Sequence, residues 1–179
     1  MTCIVGLIDE GRVYIGGDSA GVSNFNIRQR KDPKVFKIGK MVIGYTSSFR
    51  MGQLLRFSMK LPEFLSSDDV FEYMCTKFTD SVRECMKTGG YLRTDNGQEE
   101  GGFFLVGFKG RLFEVNSDFQ ISELVQRYAA TGCGEYYALG SLYETEKSDM
   151  SPKDRLTSAL ECASLFSAGV CGPYIIESE

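Results

Sequence analysis

The chain of 179 residues contains no histidine. That absence removes Ser–His–Asp hydrolases, Cys–His proteases, histidine-ligated zinc and histidine general bases in one step. Acid–base chemistry falls instead to carboxylates, Lys, Tyr, Cys or a free chain terminus. Tryptophan is absent too, and the six cysteines at 3, 75, 85, 133, 162 and 171 form no C-x-x-C pair. A zinc ribbon or thioredoxin-type site therefore has no support. No apolar run approaches the roughly 20 residues of a membrane span. The net charge is −4 with no basic block, which argues against nucleic acid or an anionic membrane as the main partner. The N-terminus has no basic leader segment and meets Asp9 and Glu10 at once. These features predict a cytoplasmic protein with reduced, mostly buried thiols.

Apolar and turn signals then order the chain as a single domain over residues 1–179. Cys3 to Ile8 and Arg12 to Ile15 read as a hairpin around Asp9-Glu10-Gly11. Residues 19–33 are polar and read as a long loop. Lys34 to Ile38 and Met41 to Tyr45 form a second hairpin. A helix is expected from Phe49 to Lys60, and another from a cap at Ser66 or Ser67 to Gly89. The second helix has a core-facing stripe at Phe71, Met74, Phe78, Val82, Cys85 and Met86. Residues 91–101 read as loop, 103–108 and 111–115 as a hairpin, 119–124 and 128–134 as extended chain. Helices follow at 135–147 and 152–168, then a strand at 174–177. Strands 3–8, 41–45 and 103–108 are apolar on nearly every residue, so both their faces are covered. Antiparallel hairpins covered on both faces predict an α+β, four-layer αββα sandwich: two stacked antiparallel sheets with helices outside each. Cys3 points away from the face of Thr2 as buried filler. Cys75, Cys85 and Cys162 fall at helical core positions.

Without histidine, a hydroxyl nucleophile must find its base in Lys or a free α-amino group. The second residue is Thr2, small enough for methionine aminopeptidase to remove Met1 before it. Thr2 would then carry its own base, an α-amine with an unperturbed pKa of about 7.7–8.0. The segments Thr2-Cys3-Ile4-Val5-Gly6, Gly16-Gly17-Asp18-Ser19 and Lys34-Val35 resemble the proteasome β-subunit family, and most of all the short HslV-type peptidases. Asp18 and Lys34 fall in register with that family's Asp and Lys, counted from Thr2 without a gap. Gly132-Cys133-Gly134 matches a Gly-Ser-Gly motif, and Met41 to Ser48 matches an apolar strand with its small-residue turn.

The resemblance implies a threonine-type peptidase. Thr2 attacks the peptide carbonyl, its amine takes the proton, and Lys34 paired with Asp18 supports the amine. The Ser48 N–H, or that of Ser47, is the expected oxyanion donor. The family's serine is Cys133 here, a weaker hydrogen-bonding group. The Asp and Ser that many members carry near the end of the last helix are replaced in Ala168-Gly169-Val170-Cys171. No cofactor is required; a cation bound by main-chain carbonyls would draw on Ala168, Cys171 and Tyr174. The resemblance also implies a homo-oligomeric ring fed peptide or unfolded protein by a separate AAA+ ATPase unfoldase, since the chain has no phosphate-binding loop of its own. Two other readings remain open at this point: a catalytically silent ring or scaffold subunit, and an N-terminal-nucleophile amidase acting on a small molecule.

Overall fold

The computed structural model describes residues 1–179. Thirteen strands and five α-helices follow one another. The strands are β1 (Cys3–Asp9), β2 (Arg12–Gly17), β3 (Ala20–Ser23), β4 (Asn26–Gln29), β5 (Val35–Ile38), β6 (Met41–Tyr45), β7 (Arg93–Asp95), β8 (Gln98–Glu100), β9 (Phe104–Phe108), β10 (Arg111–Val115), β11 (Ile121–Glu123), β12 (Tyr128–Gly132) and β13 (Ile175–Ser178). The helices are α1 (Phe49–Phe57), α2 (Val70–Tyr73), α3 (Thr79–Thr88), α4 (Glu135–Glu144) and α5 (Pro152–Phe166).

Two antiparallel sheets carry the fold. One has four strands in the order β12-β1-β2-β13, the other five in the order β11-β10-β9-β6-β5. Between them lies an apolar layer of Ile4, Val13, Ile15, Val35, Val42, Leu105, Leu112 and Ala129. Helices α1 and α3 cover the outer face of the five-stranded sheet through Ile43, Met51, Leu55, Phe78, Val82 and Met86. Helices α4 and α5 cover the four-stranded sheet through Val5, Leu7, Ala138, Leu142, Leu156 and Leu160. The result is the expected αββα sandwich. Both faces of β1, β6 and β9 are buried, which explains their unbroken apolar sequences. The sheets approach closely at Gly44, where a Cβ would sit 2.6 Å from the side chains of Ile4 and Ile15.

Several boundaries differ from the sequence reading, each for a local reason. Residues 20–29 form the hairpin β3–β4, turned at Asn24, whose φ of 51° suits an asparagine. Residues 93–100 form a second small hairpin, β7–β8, around Asn96-Gly97. Both were expected as loops, because their exposed faces leave no apolar alternation to read. The second helix starts at Val70, since Asp69 rather than Ser66 or Ser67 caps it by accepting the Glu72 N–H at 2.9 Å. A π-helical stretch, Met74–Phe78, joins α2 to α3, and the Thr79 hydroxyl donates to the Met74 carbonyl. The wider turn shifts the helical phase. Upstream of it Tyr73 takes the inward place, and Phe71 is left 39% exposed. Cys75, expected in the core, is exposed for the same reason, whereas Cys3 and Cys85 are buried. No helix is long and apolar enough to cross a membrane.

Candidate active site

One end of the stacked sheets collects the ends of several elements. Thr2 immediately precedes β1. Asp18 and Ser19 leave β2, and Lys34 immediately precedes β5. Thr2, Asp18 and Lys34 are all buried although polar. The register Ile4↔Gly17 between β1 and β2 places Asp18 opposite Cys3. The Asp18 carboxylate accepts the Cys3 N–H at 3.0 Å through Oδ1 and the Ala20 N–H at 2.8 Å through Oδ2. Lys34 Nζ donates to the same carboxylate at 2.8 and 3.0 Å, and to Thr2 Oγ1 at 2.8 Å. A glycine at 17 makes this convergence possible, because a Cβ there would press on Ile4 and Val35.

The side chains of Lys34 and Asp18 are 2% and 0% exposed. Such a pair is tolerated only where further hydrogen bonds satisfy both partners, and each partner here has them. Burial pulls the Lys34 ammonium below its ordinary value, and the Asp18 carboxylate opposes that pull. Beyond Lys34, the Phe49 ring centroid lies 5.6 Å from Nζ, and the Arg30 guanidinium lies over the same ring at 3.8 Å. Arg30 is held by Asp32 at 2.7 and 2.9 Å. A cavity of about 390 Å³ opens there, lined by Gly21, Asn24, Asn26, Arg28, Arg30 and Phe49. Arg28 has no ion-pair partner. The sequence shows 19–33 only as a polar loop and does not reveal this pocket, because only the hairpin pairing brings Arg28 and Arg30 to Phe49.

The fourth expected residue also arrives. Cys133 lies in the turn between β12 and α4, and its Sγ accepts the Thr2 N–H at 3.2 Å and donates to the Thr2 carbonyl at 3.4 Å. Ser167, the residue capping the end of α5, donates its hydroxyl to the same sulfur at 3.2 Å. The sequence reading stopped one residue short of it, at Ala168.

Ser48 does not serve as expected. Its backbone N–H donates to the Thr46 carbonyl at 2.7 Å, and its side chain caps α1 by accepting the Arg50 N–H at 3.1 Å. The neighbouring Ser47 has a φ of 60°. Its hydroxyl accepts the Phe103 N–H at 3.0 Å, and its own backbone N–H has no partner within the protein. A side chain in this left-handed region stores strain that surrounding contacts must hold, and the Phe103 bond supplies one such contact. Of the three carbonyls expected to hold a cation, that of Cys171 accepts the Ser19 N–H at 2.9 Å.

In the chain bearing Met1, the Thr2 hydroxyl donates to the Met1 carbonyl. The Thr2 nitrogen is then an amide and cannot act as a base. Met1 itself is 59% exposed.

No protein-family model and no curated protein sequence matches the chain. Solved structures do. BPH from Thiobacillus denitrificans, in complex with epoxomicin, superposes with a TM-score of 0.84 at 18% identity, covering 99% of this chain and 98% of that one. HslV from Trypanosoma brucei gives a TM-score of 0.71 at 16% identity, over 99% of this chain and 98% of its own. Anbu from Yersinia bercovieri, an ancestral β-subunit, gives 0.66 at 13% identity, over 99% of this chain and 81% of its own. The chain therefore has the proteasome-type, N-terminal-nucleophile hydrolase fold that it shares with HslV.

Proposed function

We propose that the protein is a threonine peptidase subunit whose nucleophile, Thr2 Oγ1, becomes competent once Met1 is removed. The observation that carries this reading is the buried contact of Lys34 Nζ with both Thr2 Oγ1, at 2.8 Å, and the Asp18 carboxylate. A polar cluster of this kind is costly to bury unless function or full pairing supports it, and it lies at the residue that removal of Met1 would expose. After Met1 leaves, the Thr2 nitrogen is an amine beside the Thr2 hydroxyl. It takes the hydroxyl proton as Oγ1 attacks the peptide carbonyl carbon. The nearby Lys34 ammonium disfavours a second positive charge and keeps the amine neutral. The negative oxygen that forms is received by the unpartnered Ser47 N–H, in the role first assigned to Ser48. The ammonium formed at Thr2 then returns its proton to the leaving amine, and water releases the acyl group from Oγ1.

The same reading extends to assembly. The protein forms a homo-oligomeric ring, lies in the cytoplasm, degrades peptides or unfolded protein, and receives folded substrates only through a separate AAA+ unfoldase. The rival reading, a silent scaffold subunit, predicts that Met1 is retained. Intact mass spectrometry with and without epoxomicin, a peptide epoxyketone that closes a ring on the hydroxyl and free amine of an N-terminal threonine, separates the two. Loss of Met1 with one adduct is expected. Retained Met1 with no adduct would overturn the peptidase reading.

A further inference from the structure

The end of the molecule opposite Thr2 carries a cavity of its own. Strand β5 leaves the site just after Lys34, so the β5–β6 turn at Gly39-Lys40 and the β9–β10 turn at Lys109-Gly110 both lie at the far end. Between these turns and the segment after α1 is a cavity of about 220 Å³, lined by Lys40, Leu61, Phe64, Tyr73, Phe108 and Lys109. Its walls are aromatic and fixed. The Phe64 ring meets Tyr73 edge-on at 5.2 Å and Phe108 edge-on at 5.3 Å, centroid to centroid. Tyr73 and Phe108 are buried, and the Tyr73 hydroxyl donates to the Pro62 carbonyl at 2.8 Å. Leu61 is seated on the β5–β6 turn, where a Cβ on Gly39 would come within 2.9 Å of it.

The rim is cationic. Lys40 and Lys109 are both exposed, and neither has an ion-pair partner. No carboxylate lines the cavity. The Lys109 ammonium lies 5.1 Å from the centroid of the Phe64 ring, close enough for the ring face to attract it. The turn holds this lysine against its own preference. Lys109 and Gly110 have φ of 55° and 71°, and a two-residue hairpin turn with both residues in the left-handed region favours Asn, Asp or Gly at the first. A lysine in that place persists only where surrounding contacts hold it.

We propose that this cavity binds a small monocarboxylate with an aromatic or branched aliphatic body. The body lies among Phe64, Tyr73 and Phe108, and the carboxylate lies between the Lys40 and Lys109 ammonium groups. Volume sets the size. The cavity is smaller than the roughly 300–1,000 Å³ of drug-sized ligand sites, so it takes one ring or one short branched chain. Charge sets the sign. Aromatic walls alone would also suit an organic cation, but two unpaired ammonium groups repel one. A carboxylate supplies the partner that both lysines lack, beside an apolar wall that screens the attraction less than water does. The site is remote from Thr2 and does not depend on whether Met1 is removed.

Isothermal titration calorimetry of the full chain with 3-phenylpropionate at low ionic strength tests this. The matched probes are 3-phenylpropanamide, 3-phenylpropylammonium and acetate. The acid should bind one-to-one with a Kd of about 0.1–1 mM, the scale for a ligand of about eleven non-hydrogen atoms. The amide should bind about 3- to 10-fold more weakly, and the difference should shrink at about 0.5 M salt. The ammonium ion should not bind, and acetate, which has the charge without the body, should not compete. Lys109→Gly removes one ammonium group and relaxes the turn, so it should fold at least as stably as the native protein. Lys109→Gly and Lys40→Gln should each bring the affinity of the acid toward that of the amide. Arg28→Glu, in the cavity beside Phe49, should leave it unchanged. Absence of binding, equal affinity for acid and amide, or acid binding that survives Lys109→Gly combined with Lys40→Gln would overturn the proposal. Displacement by acetate would overturn it too, and so would loss of binding in Arg28→Glu, which would put the acid in the other cavity.

Discussion

Replacing Asp18 by asparagine tests the centre of the site without reference to catalysis. The change keeps the side-chain shape and removes one charge from a pair that is 2% and 0% exposed. The Lys34 ammonium is left among an amide oxygen and the Thr2 hydroxyl. Breaking a buried pair by deleting one partner costs about 3–5 kcal/mol, against a total stability of roughly 5–15 kcal/mol. At about 2–4 °C per kcal/mol for a chain of this size, the melting temperature should fall by roughly 6–20 °C near neutral pH. The loss should depend on pH, with a definite sign. Burial already holds Lys34 below its ordinary value in the native protein, and without the carboxylate it moves lower still. Between that folded value and the unfolded value of about 10.4, the unfolded chain binds more protons than the folded one. Stability therefore rises with pH across that interval. Because the interval is wider in the variant, the gap between native and Asp18→Asn proteins should narrow from pH 7 toward pH 10. Thermal unfolding followed by circular dichroism at several pH values measures it. The double variant Asp18→Asn with Lys34→Met should recover much of the loss, since an apolar side chain does not need the carboxylate. A single variant as stable as the native protein at pH 7, or a gap that does not change with pH, would refute the buried pair.

Thr2→Ala should fold with a native circular dichroism spectrum yet give no epoxomicin adduct and no turnover; measurable native-level turnover would refute the nucleophile assignment. Lys34→Ala should likewise abolish turnover, and a fully active variant would reduce Lys34 to a structural residue. An N-terminal tag should leave the protein inactive until a processing protease exposes Thr2 as the first residue, as read by peptide hydrolysis before and after tag removal. The unpaired Arg28 in the cavity beside Phe49 should favour substrates with an acidic residue before the cut. Arg28→Glu should shift the preference toward basic residues across a set of Asp, Leu and Lys peptides, and an unchanged ranking would show that the cavity does not receive that side chain. Gly44→Ala should destabilise by about 1–3 kcal/mol, because the added methyl falls on Ile4 and Ile15; urea unfolding with no change in midpoint would refute the close sheet contact.

The layered fold was legible because burial on both faces leaves a mark in composition. Strands β1, β6 and β9 are apolar at nearly every position, and such strands need two covers. The two small hairpins left no such mark. Every residue of β4 is exposed, so polar sequence there is equally consistent with loop and strand. The π-helical turn was invisible for a different reason. It changes the phase of a periodic pattern by one residue, and the stripe from Met74 to Met86 reads the same whether or not a turn widens upstream of it. Within the site, the absence of histidine pointed to Thr2, the resemblance to the proteasome β-subunit family named Asp18, Lys34 and Cys133, and the structure brings the four together. Ser48 failed because the sequence does not show which of two adjacent serines gives up its N–H to a tight turn. Ser167 was missed because a serine at a helix end ordinarily reads as a cap, and only the packing of α5 against the β12–α4 turn directs its hydroxyl to the sulfur.

The hydrogen bonds of Lys34 also decide which group can serve as base in the proposed chemistry. An ammonium has three hydrogens, and Nζ has three acceptors: Thr2 Oγ1, Asp18 Oδ1 and Asp18 Oδ2. A neutral lysine has only two hydrogens and a lone pair. It would leave one of these acceptors bare and place that lone pair beside a carboxylate. The geometry thus belongs to the charged form, even though burial lowers the value at which the proton is lost. A charged Lys34 donates to the Thr2 hydroxyl and stabilises the oxygen as it loses its proton, but it cannot accept that proton. The chain has no histidine to do so, and Asp18 is occupied by Lys34 and two backbone N–H groups. The remaining candidate in contact with the cluster is the Thr2 nitrogen, which becomes basic only when the peptide bond to Met1 is broken. Under this chemistry the site is folded and paired before processing, and it lacks a base until the first residue is removed.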